Sequence, residues 1–182
     1  MGATFAERLR SVLIGISIRT ERLLIRRFTS TDSSGYLRFM LDDGSTRFLA
    51  FDEEQTTEAG ARALFNYVIE NYDSPDVVHA YAIADANSDA YVGSCGFAPY
   101  DDAVVECYFT INPEHRGNGF AVEATKALVA SLSHLVEVRA YCHADNVAAH
   151  CVARRCDMIP LGSGRNKNPG LEGLVFVTRK DR

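Results

Sequence analysis

Apolar residues in this chain recur at two spacings, and the alternation between those spacings lays out the elements. Thr20-Glu21-Arg22-Leu23-Leu24-Ile25-Arg26-Arg27-Phe28 has the aliphatic centre of a strand. Ser30, Thr31 and Asp32 are helix-capping types and open a helix to about Leu41, which Asp42-Asp43-Gly44 ends. Thr56 or Thr57 opens a second helix, with Ala61, Leu64, Phe65, Val68 and Ile69 at helical spacing and Asp73-Ser74-Pro75 as its stop. Strand stretches follow at 79–85, 91–98 and 103–111. The turns Ala86-Asn87-Ser88-Asp89 and Pro99-Tyr100-Asp101-Asp102 join them, so the three are antiparallel neighbours. A helix over about 119–135 comes next, with Ala121, Ala124, Leu128, Leu132 and Leu135 as its buried stripe. A strand over 136–142 follows, then a helix from Asp145-Asn146 to about Cys156. Strands near 158–161 and 171–179 flank a polar loop over 162–170. Residues 4–15 are amphipathic and read as a short extra helix.

The order is β-α-α-β-β-β-α-β-α-β-β, and the strand–helix–strand unit from 103 to 142 predicts a right-handed parallel crossover. The class is therefore α/β: one mixed, mostly antiparallel sheet of about seven strands flanked by helices. A length of 182 residues suits one domain, and 47% hydrophobic with 24% charged residues excludes a disordered chain. A net charge of -5, from 19 basic and 24 acidic residues, argues against nucleic acid as a partner. Five cysteines, an odd number without C-x-x-C, fit a reducing cytoplasm better than a disulfide framework. The apolar runs are too short to span a membrane, and the run after Arg8 and Arg10 ends at Arg19 without a cleavage signature. The expected division is an N-terminal helix or arm over 1–17 and one domain over 18–182.

Candidate chemistry concentrates where the third strand of the meander ends, at Asn112-Pro113-Glu114-His115-Arg116-Gly117-Asn118-Gly119-Phe120-Ala121. Pro113 stops the strand, Gly117 and Gly119 let backbone approach a ligand, and a helix start presents free N–H groups to an anion. No P-loop sequence occurs, and Val122 stands where a dinucleotide fingerprint needs its third glycine. Taken alone, the turn is as readily a tight strand-to-helix connection as a phosphate site.

Arg116-Gly117-x-Gly119-x-Ala121 after a proline turn resembles the acyl-CoA signature of the GNAT superfamily of N-acetyltransferases. The opening Thr20-Glu21-Arg22-Leu23-Leu24-Ile25-Arg26 is similar to that of its ribosomal-protein N-terminal acetyltransferase (RimJ/RimL-type) branch. Val92-Gly93, Glu123-Ala124 and Asp145-Asn146 match in order, over about 18–178. The resemblance implies a single-domain acyl-CoA N-acyltransferase (GNAT) fold whose sheet splays open beside the strand before the turn. It implies acetyl-CoA as cosubstrate, with the pantetheine arm against the backbone of Phe109, Thr110 and Ile111. Arg116, Gly117, Asn118, Gly119, Phe120 and Ala121 would wrap the pyrophosphate, and Asn146 would contact the cofactor from the far side. The partner is an amine substrate, either a protein N-terminus or a small molecule. A homodimer is compatible with it; nucleic acid and membrane are not expected.

Acetyl transfer to an amine needs a base for the ammonium and a fate for the leaving thiolate. Alternation puts Glu106, Tyr108 and Thr110 on one face of their strand and Val105, Cys107, Phe109 and Ile111 on the other. From the pattern alone Glu106 is a glutamate on a solvated face; the resemblance makes it the base. The branch's serine near the CoA sulfur is Ala149 here, and its Gly-Phe pair is Asp157-Met158. His150, Cys151, Tyr141 and Tyr108 are the remaining candidate acids. The missing serine keeps a non-catalytic acyl-CoA sensor as the alternative. Cys142, His143, His150, Cys151 and Cys156 match no zinc spacing, so no metal is expected. The basic loop over 162–170 either borders the acceptor site or is a mobile hairpin. Phe48, Phe51, Phe65 and Tyr72 are core residues or line the acceptor groove, with core the expectation.

Overall fold

A computed structural model of the chain describes residues 16–74, 79–101, 103–134, 136–166 and 172–178. The three meander strands form as their alternation predicts: β3 (His79–Asp85), β4 (Tyr91–Asp101) and β5 (Val104–Ile111), each antiparallel to the next. On one side β2 (Leu23–Arg26) and β1 (Ser17–Arg19) continue the sheet; on the other come β6 (Glu137–His143), β8 (Glu172–Thr178) and the edge strand β7 (Met158–Arg165). The result is an eight-stranded sheet in the order β1-β2-β3-β4-β5-β6-β8-β7. Among the described residues the β5–β6 pair alone is parallel, which gives the expected crossover through α4 (Phe120–Leu132).

The eighth strand corrects the expectation of seven. The stretch 20–28 is not one strand, because Thr20 starts a turn: its N–H donates to the Leu23 carbonyl at 2.8 Å and its Oγ1 accepts the Leu23 N–H at 2.9 Å. That turn folds Ser17–Arg19 back onto Leu24–Arg26. Two boundaries also move. β4 runs through Pro99 to Asp101 with an irregularity there, so the connection to β5 is shorter than the turn residues suggested. β7 extends to Arg165, with Gly162 at φ +116 absorbing a register shift inside the expected loop. The predicted helix over 4–15, Leu135 and the loop residues 167–170 lie outside the described residues.

Helices form where the capping residues place them. Asp32 ends a short 3-10 turn and precedes α1 (Ser33–Met40), and α2 (Asp43–Thr46) adds one turn where only a stop was expected. Thr57 caps α3 (Glu58–Glu70), its Oγ1 accepting the Gly60 N–H at 3.1 Å. Asn146 caps α5 (Val147–Arg155). Ala124, Leu128 and Leu132 of α4 join Val105, Cys107, Val138, Ala140, Cys142 and Phe176 of the sheet in one apolar cluster. Phe65 and Tyr72 also belong to it. Leu37, Phe39, Met40 and Ala61 form a smaller cluster between α1 and α3, with Phe51 against it. No helix among the described residues is long and apolar enough to cross a membrane.

What positions the site is the end of the β5–β6 ladder. Pairing covers Val104–Cys107 against Glu137–Ala140 and stops there, while β5 continues to Ile111 with β4 alone. The Asn112 N–H donates to the Val92 carbonyl at 3.0 Å. By antiparallel alternation Phe109 and Ile111 therefore aim their backbone groups away from β4, into the opening. The sheet thus splays beside β5, as the resemblance implied. Gly93 keeps β4 and β5 close at this point: a Cβ there would lie 2.2 Å from the Thr110 carbonyl oxygen. Gly93→Ala must push that backbone aside, and we expect it to destabilise the fold by about 1–3 kcal/mol. It should also weaken acetyl-CoA binding; equilibrium unfolding and a titration on the same sample measure both.

Candidate active site

The turn after β5 is shaped by its carbonyls. Asn118 Nδ2 donates to the carbonyls of His115 and Arg116 at 3.1 and 3.3 Å, and Arg22 Nη1 donates to the Asn118 carbonyl at 3.0 Å. With those acceptors engaged, the turn presents its amides. Gly117 and Gly119 adopt φ +80 and +79, and nothing lies within 4 Å of a Cβ placed at Gly117. Gly119 is the N-cap of α4 and has no side chain to cap the first helical N–H groups. Free amides, a positive helix end and open space together make an anion cradle. Phe120 and Ala121 are half-buried and pack against the core, fixing the start of α4.

Arg116, expected to reach the anion, is held elsewhere: its Nε donates to the Ile111 carbonyl at 3.0 Å and its Nη2 to Ser45 Oγ at 2.6 Å. It thereby ties the turn to α2 and occupies one backbone acceptor at the mouth of the splay. The cation beside the α4 N-terminus is Arg22, which sequence reasoning took only as a strand residue. Its guanidinium stacks over the Phe120 ring at 4.8 Å and pairs with Glu123 at 2.6 Å. Glu123 also accepts the Arg22 N–H at 2.9 Å and the Thr20 hydroxyl at 2.6 Å. No local pattern reveals this lock, because Arg22 and Glu123 are separated by 101 positions.

Burial alone would raise the Glu123 carboxyl, but the hydrogen bonds from Thr20 and Arg22 and the charge of Arg22 hold it below the ordinary glutamate value. A depressed carboxylate stabilises the fold above its unfolded pKa, near ~4.3, and loses that contribution as pH falls through the lower folded value. Glu123→Gln should therefore be less stable than the parent at pH 7 by about 1–2 kcal/mol, discounted for the exposed Arg22 side. The gap should close in melting curves recorded in acid, as Glu123 itself protonates.

Glu106 sits half-buried on β5, paired in register with Ala98 on β4 and Arg139 on β6, one position before the ladder opens. Thr110 Oγ1 lies 2.8 Å from Ser94 Oγ, which ties its side chain to β4. Across the splay, Asn146 Oδ1 accepts the Ala149 N–H at 3.1 Å, so its oxygen is committed to capping α5. Among the candidate acids, His150 is buried, with Nε2 3.0 Å from the His143 carbonyl, and Cys151 is exposed on α5. Burial raises the Tyr108 and Tyr141 phenols, Tyr141 further through its bond to Tyr100, so both stay protonated at neutral pH. Burial also pushes the Cys142 thiol up to about 12, which makes it a poor nucleophile.

Beyond β6 a pocket opens that the sequence did not locate. Phe48, which follows α2, stacks on His143 with centroids 5.0 Å apart, and Tyr141, Cys142, Asn166, Glu172 and Gly173 also line it. Phe48 is thus a groove residue rather than a core one.

The class follows first: a mixed sheet that opens at a parallel crossover, beside a glycine turn, is the architecture of an acetyl-CoA-dependent N-acetyltransferase. The profile of the acetyltransferase (GNAT) domain matches residues 22–159, and the chain belongs to that family. Among solved structures, the GNAT-family acetyltransferase from Bacillus anthracis superposes with a TM-score of 0.73 at 21% identity, over 89% of this chain and 97% of that one. The microcin C7 self-immunity acetyltransferase MccE, in complex with acetyl-CoA and AMP, gives 0.72 at 10% identity, over 87% and 93%. RimL, a ribosomal L7/L12 α-N-protein acetyltransferase in complex with CoA, gives 0.69 at 14%, over 87% and 94%. At these identities the likeness is one of fold. A search of curated proteins returns no match.

Proposed function

We propose that this chain transfers the acetyl group of acetyl-CoA to a primary amine by direct attack on the thioester, with Glu106 as the base. The observation that carries this reading is the anion cradle at Gly117–Ala121 beside the stretch of β5 that β6 leaves uncovered. In it, the amides of the turn and of the first α4 residues hold the pyrophosphate, and Arg22 contributes the nearby positive charge. The backbone of Phe109 and Ile111 pairs with the pantetheine arm, Thr110 stiffens that strand through Ser94, and Asn146 meets the cofactor from the α5 side. Arg116 leaves Ser45 to join the anion, or remains as the brace between turn and α2. Glu106 accepts the ammonium proton, directly or through water. CoA leaves as a thiolate and takes its proton from solvent, so the alanine at 149 does not block turnover. Within the family, the opening sequence at Thr20–Arg26 supports the RimJ/RimL-type branch.

Ligand-dependent melting tests the binding half of the proposal. Acetyl-CoA and CoA at ~100 times their Kd should stabilise the chain by ~2.7 kcal/mol, and NAD and ATP should do far less. A shift with NAD but none with either CoA species would end this reading.

A further inference from the structure

We infer that the pocket beyond β6 recognises a second, protonated nitrogen on the acceptor, so that the substrate is a diamine or polyamine rather than a simple monoamine. The inference rests on the proposed site and names its substrate class. The pocket stands at the right distance and on the right face. Glu106 is in register with Arg139, and Tyr141 and His143 lie two and four residues further along the same face of β6. At about 3.3 Å per residue they are ~7 and ~13 Å from the base. An acceptor with its reacting amine at Glu106 reaches this wall across several methylenes.

The chemistry of the wall selects for an N–H donor carrying positive charge. Asn166 Oδ1 is buried in the wall with no hydrogen-bond partner among the described residues, and an unmet buried acceptor is costly unless a ligand donor fills it. Stacking of Tyr141 on Tyr100, with centroids 5.7 Å apart, and of His143 on Phe48 fixes both rings in the wall. The His143 Nδ1 accepts the Asp145 N–H at 3.2 Å. Glu172 adds a carboxylate with several acceptor positions, one of them taken by Arg165. Among the described residues the neighbouring cations are already engaged, Arg165 with Glu172, Arg47 over Phe48 at 4.3 Å and Arg139 with Glu137 at 2.7 Å. An acidic group at the substrate's far end would face Asn166 Oδ1 and Glu172 together. A second amine, charged at neutral pH with a pKa near ~10.4, satisfies all of them.

The test compares α,ω-diaminoalkanes of increasing length with monoamines of the same length and with amino acids that end in a carboxylate, by acetyl-CoA thiol release. The diamines should show a kcat/KM at least roughly tenfold higher than the matched monoamines, expressed in KM rather than kcat, with an optimum at intermediate length. Asn166→Leu and Glu172→Gln should each reduce that ratio toward one, and Asn166→Asp should preserve or raise it. Equal kcat/KM for diamine and monoamine overturns the inference, as does a preference for the carboxylate-bearing acceptors or a diamine preference that survives both neutral variants. Acetyl-CoA melting shifts run in parallel: turnover of monoamines without a diamine preference, with the shift intact, sinks the inference alone, whereas turnover of no amine, or loss of the shift in the parent protein, sinks the proposed function beneath it.

Discussion

Glu106→Gln should lower turnover by roughly 10²- to 10³-fold while leaving the acetyl-CoA Kd unchanged. The carboxylate stands at the last pairs of the β5–β6 ladder, where the sheet begins to open. Glutamine keeps the size and a hydrogen-bonding oxygen but cannot take a proton. The β5 backbone that receives the cofactor is untouched, so binding and chemistry separate. The variant should also recover with pH, because a rising fraction of the amine then arrives already deprotonated. That recovery should begin near ~8 for an α-amino group and near ~10 for an alkylamine. Stopped-flow thiol release and calorimetric titration give the two parameters. Unchanged turnover would remove Glu106 from the mechanism.

Gly119→Asp carries the second large effect, in the opposite sense: binding is lost first. Residue 119 is the N-cap of α4 at φ +79, and a Cβ there would lie 3.6 Å from Arg22 Nη2. An aspartate at this position directs its own carboxylate at the free amides and at Arg22, filling the cradle with a built-in anion. Acetyl-CoA affinity should fall by roughly a hundredfold or more through competition and repulsion. Stability should change little, since a capping carboxylate offsets the left-handed strain of about 1–2 kcal/mol. Gly117→Ala is the control: the open space there leaves only backbone strain, so it should lose stability with a smaller loss of affinity. A Gly119→Asp variant that binds acetyl-CoA as the parent does would move the pyrophosphate site elsewhere.

The parts of the fold that could be read from the sequence are those written in local chemistry. Short turns set the β3–β4–β5 meander, the 3.6-residue stripe set α4, and Thr57 and Asn146 capped the helices they were expected to cap. Boundaries failed where a tertiary bond overrode a local preference. The Thr20 turn shortened the expected strand over 20–28 to Leu23–Arg26 and folded Ser17–Arg19 onto it as a further strand, and Pro99 was tolerated inside β4 at a register shift. The same division runs through the site. Gly117 and Gly119 stand out in the sequence because a glycine pair after a proline turn is a local signal, whereas Glu106 was singled out only by the family resemblance. Arg22 at the α4 N-terminus, the Arg116–Ser45 bond and the Phe48–His143 wall join segments far apart in the chain. No periodicity encodes them.

Amine-dependent release of CoA thiol from acetyl-CoA, followed together with the mass of the acceptor, tests the central claim most directly. The account predicts one thiol released per acetyl group gained by a primary amine, with release close to zero when the amine is omitted. Saturable acetyl-CoA binding with no amine-dependent thiol release across the panel would contradict it and leave a protein that only senses acyl-CoA.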